Sequence, residues 1–174
     1  MCLELLDDKV QAGYDEDDES DEAARARIWL DAWSDVLHLC DATGTRSVAE
    51  FDDRFPMTQS LYNWSQDLQD ALWNAGLRDR GFILARIEVC EEALRRFPRE
   101  DQLMVENRRR ALAESYFEAG LTGKAEELYK GLARRRSRLG VGLDRLGRLL
   151  HRRLARVARL RAGRGAAATR ICGA

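Results

Sequence analysis

The chain has 174 residues, 34% of them charged, and a formal net charge of −1 at pH 7. This length suits one domain with a hydrophobic core. The four cysteines, Cys2, Cys40, Cys90 and Cys172, form no CxxC pair, and two histidines give no zinc spacing. The sequence shows no secretory signal, and no apolar run approaches the roughly 20 residues of a membrane span. We therefore expect a cytoplasmic protein without cofactor or metal.

Apolar residues recur at helical spacing, and no useful alternation typical of strands occurs. In chain order, the pattern predicts a short helix over 3–13 and a broad apolar helix over 24–44. Ser47 followed by Glu50 is a capping-box pattern for a third helix, which ends at Pro56. Trp29, Trp33, Trp64 and Trp73, at helical spacing, are interpreted as core residues.

Four further helices follow. The first covers 61–76 with Gly76 as its cap, and the second covers 80–97, before Pro98. The third starts at Asp101 as N-cap and ends at Gly120, and the last covers 121–135. The predicted fold is all-α, an array of antiparallel helix pairs of α-solenoid type joined by short turns, with a C-terminal tail that is irregular or helical.

The segment 109–137 carries a repeat-like pattern. Two facing stripes of small and aromatic residues flank a turn at Gly120: Leu112, Ala113 and Tyr116 on one helix, and Ala125, Tyr129 and Leu132 on the next. This pattern resembles the tetratricopeptide repeat, a helix–turn–helix unit of about 34 residues. The order of IWLDAW, AEFDDRFP, LYNWSQDLQDALWNAG, RIEVCEEALRRFP and RALAESYFEAG resembles the tetratricopeptide-like region of bacterial SEC-C-motif-associated proteins, over residues 1–134. The cysteine-rich SEC-C motif is missing, so its zinc is not carried over.

The resemblance implies a groove formed by the first helix of each pair. The positions that it places there are Asn107, Arg110, Glu114 and Phe117, which would bind an unidentified protein or peptide. A solvated helix face is the alternative interpretation. The cations of 108–110 could attract an acidic peptide or balance the acidic body.

Charge divides the chain into two parts. Residues 1–130 hold 16 Lys and Arg against 29 Asp and Glu, a net of −13, whereas residues 131–174 hold 13 Arg and one Asp, a net of +12. The Arg-rich tail, residues 135–174, contains no aromatic residue for base stacking. As a genuine tail it could form a basic amphipathic helix on nucleic-acid phosphates or an anionic membrane.

A second interpretation of the tail is that it is out of frame. The resembling family continues after its last helix with a Trp-rich segment, where this chain has LGVGLDRLGRLL. One permitted set of codons for that stretch, shifted by one base, encodes WGWGWIGWADCY. We therefore expect a frame change at about residues 133–136. A missing Trp-rich cap would leave Leu128, Tyr129 and Leu132 partly exposed.

No catalytic residue is predicted. His38 lies between Leu37 and Leu39 in an apolar helix and is interpreted as a core or boundary residue, and Asp67 and Asp70 as surface carboxylates. The predicted function is a non-enzymatic protein–protein interaction scaffold of tetratricopeptide-like type. The alternatives are a basic-tailed binder of nucleic acid or an anionic membrane, and an uncharacterised hydrolase. No small-molecule substrate is evident.

Overall fold

The computed structural model describes residues 3–16 and 22–138, with side chains as far as residue 135. These residues form seven α-helices and no β-strand. The helices are α1 (Leu3–Tyr14), α2 (Glu22–Thr43), α3 (Val48–Arg54), α4 (Leu61–Gly76), α5 (Arg80–Arg96), α6 (Gln102–Glu118) and α7 (Thr122–Arg138). The predicted all-α fold is confirmed. Both interpretations of the tail concern residues that lie almost wholly outside the described part, and the domain boundary at residues 134/135 falls within α7 and stays a prediction.

The helices pack in a row that largely follows the chain. Helix α1 packs on α2, α2 on α4, α4 on α5, α5 on α6, and α6 on α7, while the short α3 lies against α4. Three residues connect α4 to α5, and three connect α6 to α7. Such short links make the helices of each pair antiparallel.

Tryptophans fill the core between α1, α2 and α4. The rings of Trp29 and Trp33 each lie 6.4 Å from the ring of Trp64, and all three side chains are buried. Trp29 Nε1 donates a hydrogen bond to the carbonyl of Val10 at 3.0 Å, which ties α2 to α1. The predicted core role is therefore confirmed for these three. Trp73 is only partly buried and packs on a second apolar cluster.

The second cluster joins α5, α6 and α7. Its buried members are Ile83, Ile87, Cys90, Ala111, Leu112, Ala113, Tyr116, Ala119, Ala125, Tyr129 and Leu132. The two stripes predicted to face each other across Gly120 do so. We expected Tyr129 and Leu132 of α7 to be partly exposed, and this expectation is wrong. Their side chains are 2% and 9% exposed, because both pack against α6. Leu128 is partly buried.

Two helix starts follow the sequence signals. Ser47 Oγ accepts a hydrogen bond from the Glu50 N–H at 3.1 Å, and the Glu50 carboxylate accepts one from the Arg46 N–H at 2.7 Å. The return bond of the capping box thus reaches the residue before the N-cap. Asp101 accepts from the Met104 N–H at 3.0 Å and caps α6 as predicted.

Gly76 and His38 differ from their predicted roles, and Gly13 has a packing role that was not predicted. Gly76 is the last residue of α4 but does not adopt the left-handed cap conformation; a Cβ there would lie 2.4 Å from Ile83 Cδ1, so it allows close packing of α5. Helix α1 ends at Tyr14, one residue beyond the predicted end near Gly13, and Gly13 packs closely against Trp29. His38 is exposed, because the apolar stripe of α2 passes through Val36 and Cys40 and leaves His38 on the outer face.

Candidate functional site

A concave pocket of about 160 Å³ lies between α4 and α6, with α5 contributing one side chain between them. Seven of its eight lining residues carry polar or charged side chains. The residues are Gln66, Gln69 and Asp70 from α4, Arg86 from α5, and Asn107, Arg110, Ala111 and Glu114 from α6.

Three of the four predicted groove residues line this pocket. Asn107, Arg110 and Glu114 are three and four residues apart, which places them on one face of α6. Phe117 does not line the pocket. It is partly buried against the second apolar cluster, one turn beyond Glu114. Phe117 therefore stays a predicted binding residue that lies outside this pocket.

The residues from the neighbouring helices were not predicted. Helical periodicity shows which residues share a face of one helix, but it does not show which faces of separate helices meet. No sequence pattern therefore indicated that Gln66, Gln69 and Arg86 lie together. Asp70 was interpreted as a surface carboxylate, and its side chain is indeed exposed, at the pocket edge.

Arg86 is the buried cation of the pocket, with a side chain only 5% exposed. Its Nη1 donates at 3.1 Å to both the Ala111 carbonyl and Ser115 Oγ on α6. The guanidinium carbon lies 5.0 Å from the ring centre of Trp73. Burial lowers the pKa of Arg86 from its ordinary value, against the opposing influence of Glu114. These contacts fix the guanidinium between α4 and α6.

Behind the pocket, Gln69 and Cys90 connect α4 to α5. Gln69 Nε2 donates to the Ser65 carbonyl at 2.9 Å, and Gln69 Oε1 accepts from the Cys90 thiol at 3.5 Å. Burial raises the pKa of the Cys90 thiol to about 11, so the thiol is protonated at neutral pH. An uncharged thiol of this kind is a packing residue and a poor nucleophile.

The neighbouring arginines of α6 do not act as one basic patch. Arg108 is 1% exposed, and its Nη1 lies 3.4 Å from Glu100 Oε2, which is itself almost fully buried. Its guanidinium carbon lies 5.6 Å from the ring centre of Phe97. Arg108 therefore cannot attract an acidic peptide, as the sequence suggested for 108–110. Arg110 faces the pocket instead.

Three further observations concern other kinds of site. Within the described residues, no group of three or more His, Cys, Asp or Glu side chains is arranged to hold a metal ion. A larger concave surface of about 510 Å³ lies at the turn between α2 and α3 and is lined by Thr43, Gly44, Thr45, Glu50, Asp53 and Arg54. No helix in the described part of the chain combines the length and apolar character needed to cross a membrane.

Comparisons with protein-family models, with curated proteins and with solved structures found no match to this chain. The resemblance to tetratricopeptide-like proteins therefore stays a prediction from the sequence.

Proposed function

We propose that this protein is an interaction scaffold of tetratricopeptide-like type, which binds a segment of another protein across α4 and α6. The observation that carries the proposal is the pocket itself. Asn107, Arg110 and Glu114, chosen from the sequence as groove residues, lie together and face polar residues of α4. An isolated solvated helix face would have no such opposing wall.

The size and chemistry of the pocket support this class of ligand. Pockets for cofactors and drug-sized molecules span roughly 300–1,000 Å³ and are mostly apolar. A polar pocket of about 160 Å³ suits a single side chain of a longer segment. The side-chain amides of Gln66 and Asn107 offer both donors and acceptors, so they can form hydrogen bonds with the main chain of the bound segment.

The test is a selection of displayed random dodecapeptides on the full-length protein, followed by affinity measurements. We expect selected peptides to bind the variant carrying both Asn107→Ala and Arg110→Ala at least about tenfold more weakly, the loss of roughly 1.4 kcal/mol. Phe117 is left unchanged, because its truncation would disturb the second cluster.

The matched control carries Glu88→Ala and Arg95→Ala, two exposed positions of α5 away from the pocket. Control affinity is expected to equal that of the unmodified protein. Failure to select any binding peptide, or equal loss in both variants, would contradict the proposal.

A further inference from the structure

Helix α3 covers part of the tryptophan core and has little support of its own. It has seven residues, and its main contact with another helix is with α4. Val48 and Phe51 are fully buried, and both belong to the cluster that contains the three buried tryptophans. A helix this short does not hold its conformation without contacts outside itself. The contacts at its two ends therefore decide whether it stays closed over the core.

The end of α3 is held by a neighbour in the chain, whereas its start is held from a distance. Asp52 ties the end to the first turn of α4. At the start, the Val48 N–H donates to Oε2 of Glu100 at 3.2 Å, a residue 52 positions further along the chain. The pair of Glu50 and Arg99 beside it is exposed, and such surface pairs contribute little. Glu100 is therefore the main remote contact of the start of α3.

Glu100 lies in the turn between α5 and α6, and its side chain is only 4% exposed. Its Oε1 accepts a hydrogen bond from the Asp101 N–H at 3.1 Å. Its Oε2, which accepts from Val48, lies 3.4 Å from Arg108 Nη1. A carboxylate this deeply buried stays charged only with a partner of opposite charge. Arg108 is that partner, and it belongs to α6.

The guanidinium of Arg108 is only partly compensated. Its Nη1 reaches Glu100, but its Nε and Nη2 are buried and have no hydrogen-bond partner among the described residues. Burial lowers the pKa of Arg108 from its ordinary value, and the charge of Glu100 opposes that shift. Buried donors without a partner are unfavourable. The closed arrangement therefore gives up hydration that an open arrangement would regain.

We infer that α3 is a lid over the tryptophan core, latched by the buried pair of Glu100 and Arg108. Glu100 holds the start of α3, and Arg108 is the positioning residue that keeps the Glu100 carboxylate buried. When the pair separates, both charges regain water, Val48 loses its acceptor, and α3 opens about its end at Asp52. The latch couples α3 to α6, although these two helices make no extended contact within the described residues. It does not depend on the proposed binding of a segment.

Hydrogen exchange of the full-length protein, followed fragment by fragment, tests the latch. Arg108→Met keeps most of the side-chain volume and removes the charge. We expect the amides of α3 to exchange at least about tenfold faster, because the buried Glu100 carboxylate loses its partner. Arg109→Met makes the same change at the neighbouring position, whose cation is not part of the pair, and is expected to leave α3 unchanged. Equal acceleration by both variants, or none by Arg108→Met, would overturn the inference.

A double-mutant cycle separates the latch from a general loss of stability. Glu100→Ala removes the acceptor of the Val48 N–H and is also expected to speed exchange in α3. The variant carrying both Glu100→Ala and Arg108→Met is expected to exchange in α3 no faster than Glu100→Ala alone, because Arg108 acts on α3 through Glu100. Accelerations that multiply in the double variant would show two independent effects and would overturn the inference.

Glu100→Gln provides the same test with a smaller change, should either truncation prevent folding. Its amide oxygen can still accept from the Val48 N–H, but the side chain no longer attracts Arg108 as an ion. We expect exchange in α3 to become about threefold faster, while exchange in α1 stays unchanged. Exchange in α3 equal to that of the unmodified protein would overturn the inference.

Discussion

At the residue scale, glycines show how one residue type serves two physical purposes. Gly120 adopts φ +77° in the turn between α6 and α7, a conformation that favours glycine. Gly13 serves close packing instead, since a Cβ built there would lie 2.0 Å from Trp29 Nε1. Trp29 cannot move away easily, because its indole is hydrogen-bonded to Val10 and packed against Trp64.

We predict that Gly13→Ala lowers the free energy of unfolding by about 1–3 kcal/mol, the usual effect of overpacking a core. The control is Gly131→Ala in α7, where a Cβ meets nothing within 4 Å. That substitution is expected to raise the free energy of unfolding by about 0.5–1 kcal/mol, since alanine favours the helix. Urea unfolding followed by tryptophan fluorescence measures both, and equal midpoints would refute the close-packing role of Gly13.

At the element scale, a side chain of α3 organises the start of α4. The Asp52 carboxylate accepts hydrogen bonds from the N–H groups of Leu61 at 2.6 Å and Tyr62 at 3.2 Å. These belong to the first turn of α4, whose N–H groups have no partner within the helix. Burial raises the pKa of Asp52 from its ordinary value, although both backbone bonds oppose that shift. The contact joins two helices that are separated by a loop.

We predict that Asp52→Ala lowers the free energy of unfolding by about 1–2 kcal/mol, a typical loss for a helix cap. Asp53→Ala, which removes the adjacent exposed carboxylate, is expected to change it by less than about 0.5 kcal/mol. Thermal and urea unfolding of the two variants provide the comparison. Equal destabilisation would mean that lost charge, and not the bonds to α4, is responsible.

Local signals accounted for most of the elements. The caps at Ser47 and Asp101 and the turn at Gly120 depend on residues within one turn of each other, so the sequence predicted them correctly. The prediction of Gly76 as a helix cap was wrong. A glycine is needed there because Ile83 of the next helix leaves no room for a side chain. The prediction of His38 as a core or boundary residue was wrong. In a long, broadly apolar helix, periodicity alone did not separate the buried face from the exposed one.

Only the part of the candidate site that lies on α6 could be predicted from the sequence, because the other part depends on how separate helices pack. Asn107, Arg110 and Glu114 share one helix face, which spacing alone can show. Their opposite wall comes from α4, about forty residues earlier, and its position depends on how α5 spaces the two helices. The burial of Arg108 could not be predicted from the sequence either, since nothing local distinguishes it from Arg109 and Arg110.

At the scale of the whole molecule, α5 separates two apolar clusters. Phe82, Val89 and Phe97 belong to the cluster formed with α1 to α4. Ile83, Ile87 and Cys90 belong to the cluster with α6 and α7. Helices α6 and α7 therefore depend on α5 for their main contact with the remainder of the described chain. Such an arrangement favours opening in parts over a single event.

We predict that Leu112→Ala, expected to destabilise its cluster by about 2–5 kcal/mol, speeds hydrogen exchange in α6 and α7 while leaving α1 nearly unchanged. Leu6→Ala in α1 is the mirror-image control and is expected to speed exchange in α1 and α2 without affecting α7. Mass spectrometry of proteolytic fragments resolves these regions. Equal acceleration throughout the chain after either substitution would indicate one cooperative unit.

The packing of helices on their chain neighbours has a consequence for synthesis. Contacts between elements close in the chain form with little loop-closure entropy, and helical proteins of this kind fold in microseconds to milliseconds. A ribosome adds about 5–20 residues per second, so the tryptophan core can assemble while later codons are still being read. Ile83, Ile87 and Cys90 then face water until α6 and α7 emerge. A slow or interrupted stretch of translation just after α5 would prolong that interval, in which the nascent chain is most exposed to aggregation and to chaperones.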